Sequence, residues 1–378
     1  MKSKLASFGH YVTGWRRQFR TRGDMTSLPQ HVIAPYLTPW KGGPSAEGLP
    51  DYGRIRHGDR FVDEISQPVP DKCRELKGRY LYGGPFMNHF GVVMVYSIAR
   101  CWAFDAKKHR AIVFSYCPKK VMKELPAWAR SIYSYLGVDP ARIIIARNPV
   151  KVDHLDVAEP GSEFFNGPSS WYLDYLKHRQ VNTGYKLAEK LYFGRTHIIR
   201  QGTLMGESYF SQLILNSGFT YIKPEDYSLA DQLSVLQNCR QAIFSEGSAL
   251  YLYELLHSTD TKCFMLPRRT KSSILFEPYV KPRADFHRLG GSTVIERLPE
   301  VNGVVSPKSA SYCMNPRAIF EDLQTQQLIF SSFDFDFQKY EQCEREDALE
   351  YFGEENLQFA ESQLLDVKAR REKYLRSL

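Results

Sequence analysis

The chain has 378 residues, a net charge of +8, and 43% hydrophobic and 13% aromatic content, enough to fill two cores and too apolar for a disordered chain. Its seven cysteines are scattered without a CxxC pair, which argues for reduced thiols and against a metal cage. No apolar run approaches the ~18 residues of a membrane span, no secretory leader is expected, and no nucleic-acid-binding module accompanies the positive charge.

Taken in chain order, residues 1–22 carry Lys2, Lys4, Arg16, Arg17, Arg20 and Arg22 with no acid before Asp24, and Tyr11, Trp15 and Phe19 recur every fourth residue. Three readings stay open for this segment: a basic amphipathic arm on an anionic membrane surface, a solvated terminus, or an Arg-rich targeting presequence. Pro29, Pro35, Pro39, Pro44 and Pro50, with Gly42 and Gly43, make 24–70 an expected linker or irregular wrap. A first α/β domain is expected over 71–168, with strands at 79–82, 111–116 and 142–146 and helices at 90–104 and 126–136. An alternating segment at 150–157 reads as an edge strand. Gly161, Gly167 and Pro168 suggest an interdomain crossing at 161–170, and a helix over 171–180 then opens a second domain, 169–310.

That second domain alternates short apolar runs with helical periods: strands at 191–193, 219–222, 241–244 and 262–266, and helices at 207–216, 230–239 and 248–257. The alternation predicts a parallel α/β unit. Ser228 followed by Asp231 forms a loose capping box. Beyond Leu266 the pattern becomes loop-rich over 271–309, with a strand or two. The segment 311–378 is expected to be helical, with one long charged helix over 344–378 whose buried stripe is Leu357, Leu364, Leu365 and Leu375; a return onto the first domain is one option for it.

Ligands of parallel sheets bind beyond the carboxyl ends of the strands. Two strands end there in polar chemistry, Gly194-Arg195-Thr196 and Ser245-Glu246-Gly247-Ser248. A Gly beside small residues at a helix start lets backbone N–H groups meet a phosphate, and an Arg clamps its oxygens. An anion site, for a diphosphate, is therefore expected at Arg195, Gly247, Ser248 and Ala249, the alternatives being a surface ion pair for Arg195 and close helix packing for the 246–250 turn. Glu207 suits a helix dipole or orients Arg195, and Asp231 and Gln232 face either the cleft or solvent. In the first domain, the turn over 83–91 contains Gly84, Asn88 and His89. His89 is the candidate general base because imidazole titrates near neutrality, a structural histidine being the alternative reading. Arg100 lies on the following helix, where an ordinary surface charge is the alternative reading. Asp334 and Asp336 in FDFDF read as a strand edge or loop, and no metal site is expected. GxxxxGK[ST], GxGxxG, GxSxG and HExxH are all absent from the sequence.

The ordered set Gly83-Gly84, His89-Phe90-Gly91, Arg100-x-Trp102, Arg195, Gly218-Phe219, Pro224-Glu225, Asp231-Gln232 and Glu246 to Leu250 resembles glycosyltransferase family 61, the capsular-polysaccharide-biosynthesis-like proteins, over roughly 82–266. The resemblance implies a GT-B-like α/β fold, two Rossmann-like domains facing across a cleft. The first holds a glycan or lipid-linked glycan acceptor near Gly84, Asn88 and Arg100. The second holds a nucleotide-sugar donor, of UDP type, at Arg195, Gln232, Gly247, Ser248 and Ala249. It further implies inverting sugar transfer in surface or capsular polysaccharide synthesis, with His89, Arg195 and Glu246 as catalytic groups and no required cofactor, in a cytoplasmic or peripheral membrane setting. Where the family carries a second His and, four residues on, a Glu, this chain has Val92 and Tyr96. A rival reading follows from that departure: a catalytically silent GT-B-like protein that binds a glycan or nucleotide sugar. A sulfo- or pyruvyltransferase fits the sheet without a supporting motif.

Overall fold

The structure is a computed structural model that describes residues 22–377 apart from 39, 65–72, 119–123 and 180–182. It is a mixed α/β protein of two compact units, Met1–Val181 with Tyr251–Ser258, and Asn182–Leu250 with Thr259–Leu378. Apart from Arg22, which lies over the Trp102 ring, the basic N-terminal arm falls outside the described residues. No helix among the described residues is long and apolar enough to cross a membrane.

The first unit is built on a six-stranded sheet of β1 (Met25–Thr38), β2 (Lys41–Pro44), β3 (Arg74–Phe86), β4 (Ala111–Tyr116), β5 (Ile143–Ala146) and β6 (Val150–Ala158), in the order β2-β1-β6-β3-β4-β5. The proline-rich segment expected to wrap irregularly instead contributes the 14-residue β1. Its proline at position 29 opposes His154 in a ladder that runs antiparallel to β6 from Met25↔Ala158 to Ile33↔Val150. That pairing moves β6, expected at an edge, into the sheet interior between β1 and β3. Buried Ile33, Tyr82, Val113, Val152 and Leu155 form the core on this sheet.

β3 also runs through the glycines expected in a turn. Gly83 packs so close to Phe114 that a Cβ would meet its ring at 2.3 Å, and Gly84 takes φ +94° at a register shift against β4. The helix expected over 90–104 is instead three short pieces, an α turn at Phe90–Val92, a π-helical stretch at Val93–Ser97 and a 3₁₀ turn at Cys101–Ala103. Its apolar run is buried nearly all round, so packing rather than periodicity sets its path. Helix α1 (Ala127–Tyr135) matches expectation. Helix α2 (Ser170–Lys177), expected to open the second domain, belongs to the first unit, as does the short hairpin Ser162–Glu163 with Gly167–Pro168 in place of the expected crossing.

The second unit holds a five-stranded, all-parallel sheet of β7 (Lys190–Phe193), β8 (Thr220–Tyr221), β9 (Gln241–Ser245), β10 (Lys262–Leu266) and β11 (Asp285–Arg288), in the order β8-β7-β9-β10-β11. Continuous apolar runs such as Ala242, Ile243 and Phe244 suit strands buried on both faces. Helices α3 (Glu207–Asn216) and α4 (Leu229–Asn238) follow β7 and β8. The Ser228 hydroxyl accepts the Asp231 N–H at the start of α4, 3.2 Å. Helix α5 (Ser273–Val280) occupies part of the region expected to be loop.

The C-terminal segment lies in the second unit and is α6 (Pro316–Thr325), α7 (Phe337–Phe352) and α8 (Leu357–Leu375) rather than one long helix from 344. Gly353, at φ 85°, ends α7. The expected leucine stripe of α8 is mostly exposed, Leu365 at 70%, while Ala360, Val367 and Arg371 are buried. The inward turn of α8 is set by small side chains and by Arg371, which reaches the buried Glu344 on α7.

Asp347 of α7 accepts the N–H groups of Gly206 (2.8 Å) and Ser208 (3.3 Å) at the start of α3. Burial, opposed by those bonds and reinforced by Glu207, pushes its carboxyl up to about 7. Below pH ~4 both folded and unfolded chains carry this proton. Between about 4 and 7 only the folded chain keeps it, so stability falls as pH rises through that window, and above 7 the loss is complete. Asp347→Asn, which needs no charge, is expected to be more stable than the parent by about 2 kcal/mol at pH 8 and to flatten the pH 4–7 slope in denaturant titrations; an unchanged slope contradicts this.

Candidate functional site

The carboxyl ends of the second unit's strands converge on a cluster of arginines around two buried carboxylates. The parallel ladder sets Phe193 opposite Phe244, Ser245 opposite Leu266 and Met265 opposite Arg288. The residues that follow each strand therefore emerge side by side. Arg195 comes from β7, Glu246 to Ser248 from β9, Arg268 and Arg269 from β10, and Arg288 closes β11.

Glu246 is the hub. Its side chain is fully buried, one oxygen accepting the Arg268 N–H (2.8 Å) and the other the Arg269 Nε. Its main-chain carbonyl accepts Arg268 Nε at 3.0 Å. Glu207 is the second carboxylate, 1% exposed. It accepts the Arg195 N–H (2.7 Å), the Ser245 hydroxyl (2.6 Å) and the Tyr192 hydroxyl (3.1 Å). Thus Glu207 fixes the Arg195 backbone, while among the described residues the Arg195 guanidinium donates to carbonyls, Gly202 through Nε and Nη2 and Gln201 through Nη2. A Cβ at Gly247 would stand 2.7 Å from Arg195 Nη1, so glycine is what allows the guanidinium to lie against this turn.

Burial lowers the pKa of Arg195, against the pull of Glu207 and Glu246 and with Arg269 adding to the fall. Burial likewise lowers Arg268 to about 10, with Arg195, Arg269 and Arg297 contributing repulsion and Glu246 opposing it. Both remain cations at neutral pH. Five arginines, counting Arg288 and Arg297, outnumber the two carboxylates in one electrostatic group. Such a half-buried, unbalanced cluster is suited to hold an oxyanion. An open cleft of about 420 Å³ contains Arg200, Tyr351 and Glu300. It adjoins the cluster through Lys308, whose carbonyl accepts the Tyr351 hydroxyl (3.0 Å) and lies, like Arg268 Nη1, against Gly202.

The chain matches no protein-family model and no curated protein sequence.

Of the residues singled out from sequence, the structure brings Arg195, Glu246 and Gly247 together. Ser248 and Ala249 continue the turn as the first residues of a helix over Ser248–Leu255, which is 3₁₀ rather than the expected α. Glu246, expected to take part in catalysis, is buried beneath the arginines and positions them. Gln232, expected at the nucleotide, donates its amide to Pro224 O (2.7 Å) and Tyr227 O (3.0 Å), and so secures the turn before α4; no contact among the described residues joins it to Arg195. In the first unit, Gly84 abuts Arg100: a Cβ there would lie 3.0 Å from Arg100 Nη1. Arg100 is 4% exposed, not a surface charge, and donates to Ala158 O (3.0 Å) and Tyr52 O (2.7 Å). Asn88 is half-buried, and His89 is exposed with its Nδ1 accepting the Val92 N–H at 3.4 Å. Asp336 caps α7 through the Lys339 N–H. Among the described residues no three His, Cys, Asp or Glu side chains gather as a metal-holding group.

Sequence reasoning missed Arg268, Arg269 and Arg288, although a cation directly after a buried strand is the same signal that marked Arg195. It also missed His197, held between the Tyr221 hydroxyl (2.8 Å) and the Glu225 carboxylate (2.7 Å), with Thr196 on the same hydroxyl (3.1 Å). This chain of side chains begins with Thr196, the residue after Arg195.

Proposed function

We propose that the chain is an inverting glycosyltransferase of GT-B-like arrangement, with a nucleotide sugar of UDP type on the second unit and a glycan or lipid-linked glycan acceptor on the first. The observation that carries the reading is the arginine cluster against Gly247 at the ends of a parallel sheet. Sugar transfer with inversion needs charge stabilisation on the departing diphosphate and one base for the acceptor hydroxyl. Arg195, Arg268 and Arg269 take the first role, oriented by Glu207 and Glu246. Ser248 and Ala249 offer backbone N–H groups to the same phosphates. His89 is the base, with Gly84, Asn88 and Arg100 on the acceptor side. Assembly of a surface or capsular polysaccharide, with the basic segment 1–22 at the inner face of a membrane, completes the proposal.

A second reading, a silent nucleotide-sugar or glycan binder, is favoured by one observation. The hydroxyl of Tyr96, at the place of the family's Glu, is bonded to His57 Nε2 at 2.6 Å, while the His89 ring caps a turn. The test is a thermal-shift and hydrolysis screen of the full chain against UDP-, GDP-, CMP- and dTDP-sugars, with and without Mn²⁺. At a hundredfold excess over Kd, a UDP-sugar is expected to stabilise the protein by about 2.7 kcal/mol. Arg195→Ala and Gly247→Ala are each expected to weaken binding about tenfold to a hundredfold while the ligand-free melting temperature changes little. Slow donor hydrolysis supports the transferase, stabilisation without turnover supports the binder, and no response to any nucleotide sugar overturns both.

A further inference from the structure

The strand order of the second unit, β8-β7-β9-β10-β11, reads 2-1-3-4-5 in chain order. The chain leaves β7 for β8 on one side and returns to β9 on the other, so the topological switch point falls between β7 and β9. Parallel sheets of this order take their ligand in the crevice at that point, and here Arg195 and the Glu246-Gly247-Ser248 turn flank it. Nucleotide sites on related sheets add one more element, an acid further along the chain that accepts the ribose 2′-hydroxyl. The strand beside β7 on the side away from the cluster's other arginines is β8, one spacing of about 4.8 Å across. The turn that follows it carries Glu225.

Glu225 differs from an ordinary solvated acid in how it is held. Its side chain is 56% exposed, yet Oε1 accepts His197 Nε2–H at 2.7 Å, and the His197 side chain is only 15% exposed. A carboxylate can only accept, so the neutral ring has its proton on Nε2 and its Nδ1 accepts the Tyr221 hydroxyl at 2.8 Å. The Tyr221 oxygen then accepts the Thr196 hydroxyl at 3.1 Å. Every bond in this relay runs toward Glu225, which fixes the imidazole and through it the carboxylate. Tyr221 itself is wedged over the end of β7, where a Cβ on Gly194 would stand 2.5 Å from its ring. The backbone of the turn is also tied down, since Gln232 donates to Pro224 O and Tyr227 O on either side of Glu225. An exposed ion pair contributes little to stability, so this many supports for one exposed carboxylate suit a ligand group rather than the fold. Oε2 makes no hydrogen bond among the described residues, which leaves it for a hydroxyl donor. Two residues on, Tyr227 pairs with the exposed Tyr185, an aromatic surface of the kind on which bases stack. Tyr221 neighbours Arg195, Glu207 and Glu225 alike, so the relay and the arginine cluster belong to one site.

We infer that Glu225, positioned by His197 and Tyr221, accepts the ribose hydroxyls of the bound nucleotide and makes the site select ribonucleotides over 2′-deoxyribonucleotides. The inference rests on the nucleotide reading of the second unit and narrows it to UDP-type over dTDP-type ligands. Calorimetric titration of the full chain with UDP, 2′-deoxy-UDP and pyrophosphate tests it. UDP is expected to bind at least tenfold tighter than 2′-deoxy-UDP. Glu225→Ala, at an exposed position, is expected to bring UDP down to the affinity of 2′-deoxy-UDP while pyrophosphate binding changes less than twofold. His197→Ala, which frees the carboxylate without removing it, is expected to lose about half of the discrimination on a logarithmic scale. Equal binding of the two nucleotides by the parent, or discrimination that survives Glu225→Ala, overturns the ribose assignment and leaves the nucleotide reading standing. Full discrimination in a folded His197→Ala protein overturns the positioning role. Binding of pyrophosphate but of neither nucleotide overturns this inference and the nucleotide reading together.

Discussion

Glu246→Gln is expected to destabilise the second unit by about 3 kcal/mol and at the same time to raise its affinity for diphosphate. The carboxylate is fully buried and holds Arg268 through its N–H and Arg269 through its Nε. Removing one partner of a buried ion pair leaves the other charge uncompensated, at a cost of about 3–5 kcal/mol. The lower end applies because the Arg269 side chain is 23% exposed and water recovers part of the loss. The arginines released from Glu246 then have one competing anion fewer, so pyrophosphate should return much of the lost stability to the variant and bind it several-fold tighter than the parent. Urea titrations with and without millimolar pyrophosphate measure both effects. Loss of stability without rescue contradicts the anion site, because a merely structural ion pair has no reason to be replaced by a ligand. A variant as stable as the parent contradicts the role of Glu246 as the anchor.

The second large effect lies in the C-terminal helices. Arg371 of α8 donates to both oxygens of Glu344 on α7, at 2.9 and 2.5 Å, and to Cys313 O at 3.0 Å. The two side chains are 2% and 4% exposed. Arg371→Met is expected to cost about 4 kcal/mol at pH 7, since it strands a buried carboxylate. The double variant Glu344→Leu/Arg371→Met should recover most of that loss, because no charge is then left in the core. Burial raises the Glu344 carboxyl, so in Arg371→Met the deficit should shrink as pH falls and this group takes up a proton. Denaturant unfolding at pH 7 and pH 5 checks both statements. A single variant within 1 kcal/mol of the parent, or a double variant no better than the single, refutes them.

The architecture of the second unit was largely legible along the chain. Its strands are runs of apolar residues bounded by glycine, proline and polar punctuation, buried on both faces, and each is followed by a helical period. Local pattern therefore decided the positions of β7 to β10, and α3 was placed to the residue. The first unit was less legible. Its β1 carries two prolines, Pro29 and Pro35, yet it pairs along eight registered positions with β6. That pairing joins residues about 130 apart, a separation that no local window reports. The run over 90–104 misled for the opposite reason. Its uniform apolarity reads as a helix, while burial on every side lets π and 3₁₀ turns serve the packing instead.

The candidate site divides in the same way. Arg195 and the Glu246-Gly247-Ser248 turn were visible because strand ends announce themselves by the change from apolar to polar residues. The role of Glu246 was not visible, because its partners Arg268 and Arg269 lie 22 and 23 residues further on and only the parallel register of β9 and β10 sets them beside it. Gln232 was misplaced because helical spacing gives its face but not the turn its amide secures. The leucines of α8 were misplaced because a charged partner on α7 outweighs leucine periodicity in choosing the buried face. The sequence by itself determined the α/β class, the parallel strands of the second unit and the strand-end location of its polar turns, since these follow from short-range hydrophobic pattern and backbone preference. Only the tertiary structure decided that β1 joins the first sheet beside β6, that the strand ends gather arginines around two buried carboxylates, and that Arg100 and Ser162 share one cavity, since each of these depends on register and burial between segments distant in the chain.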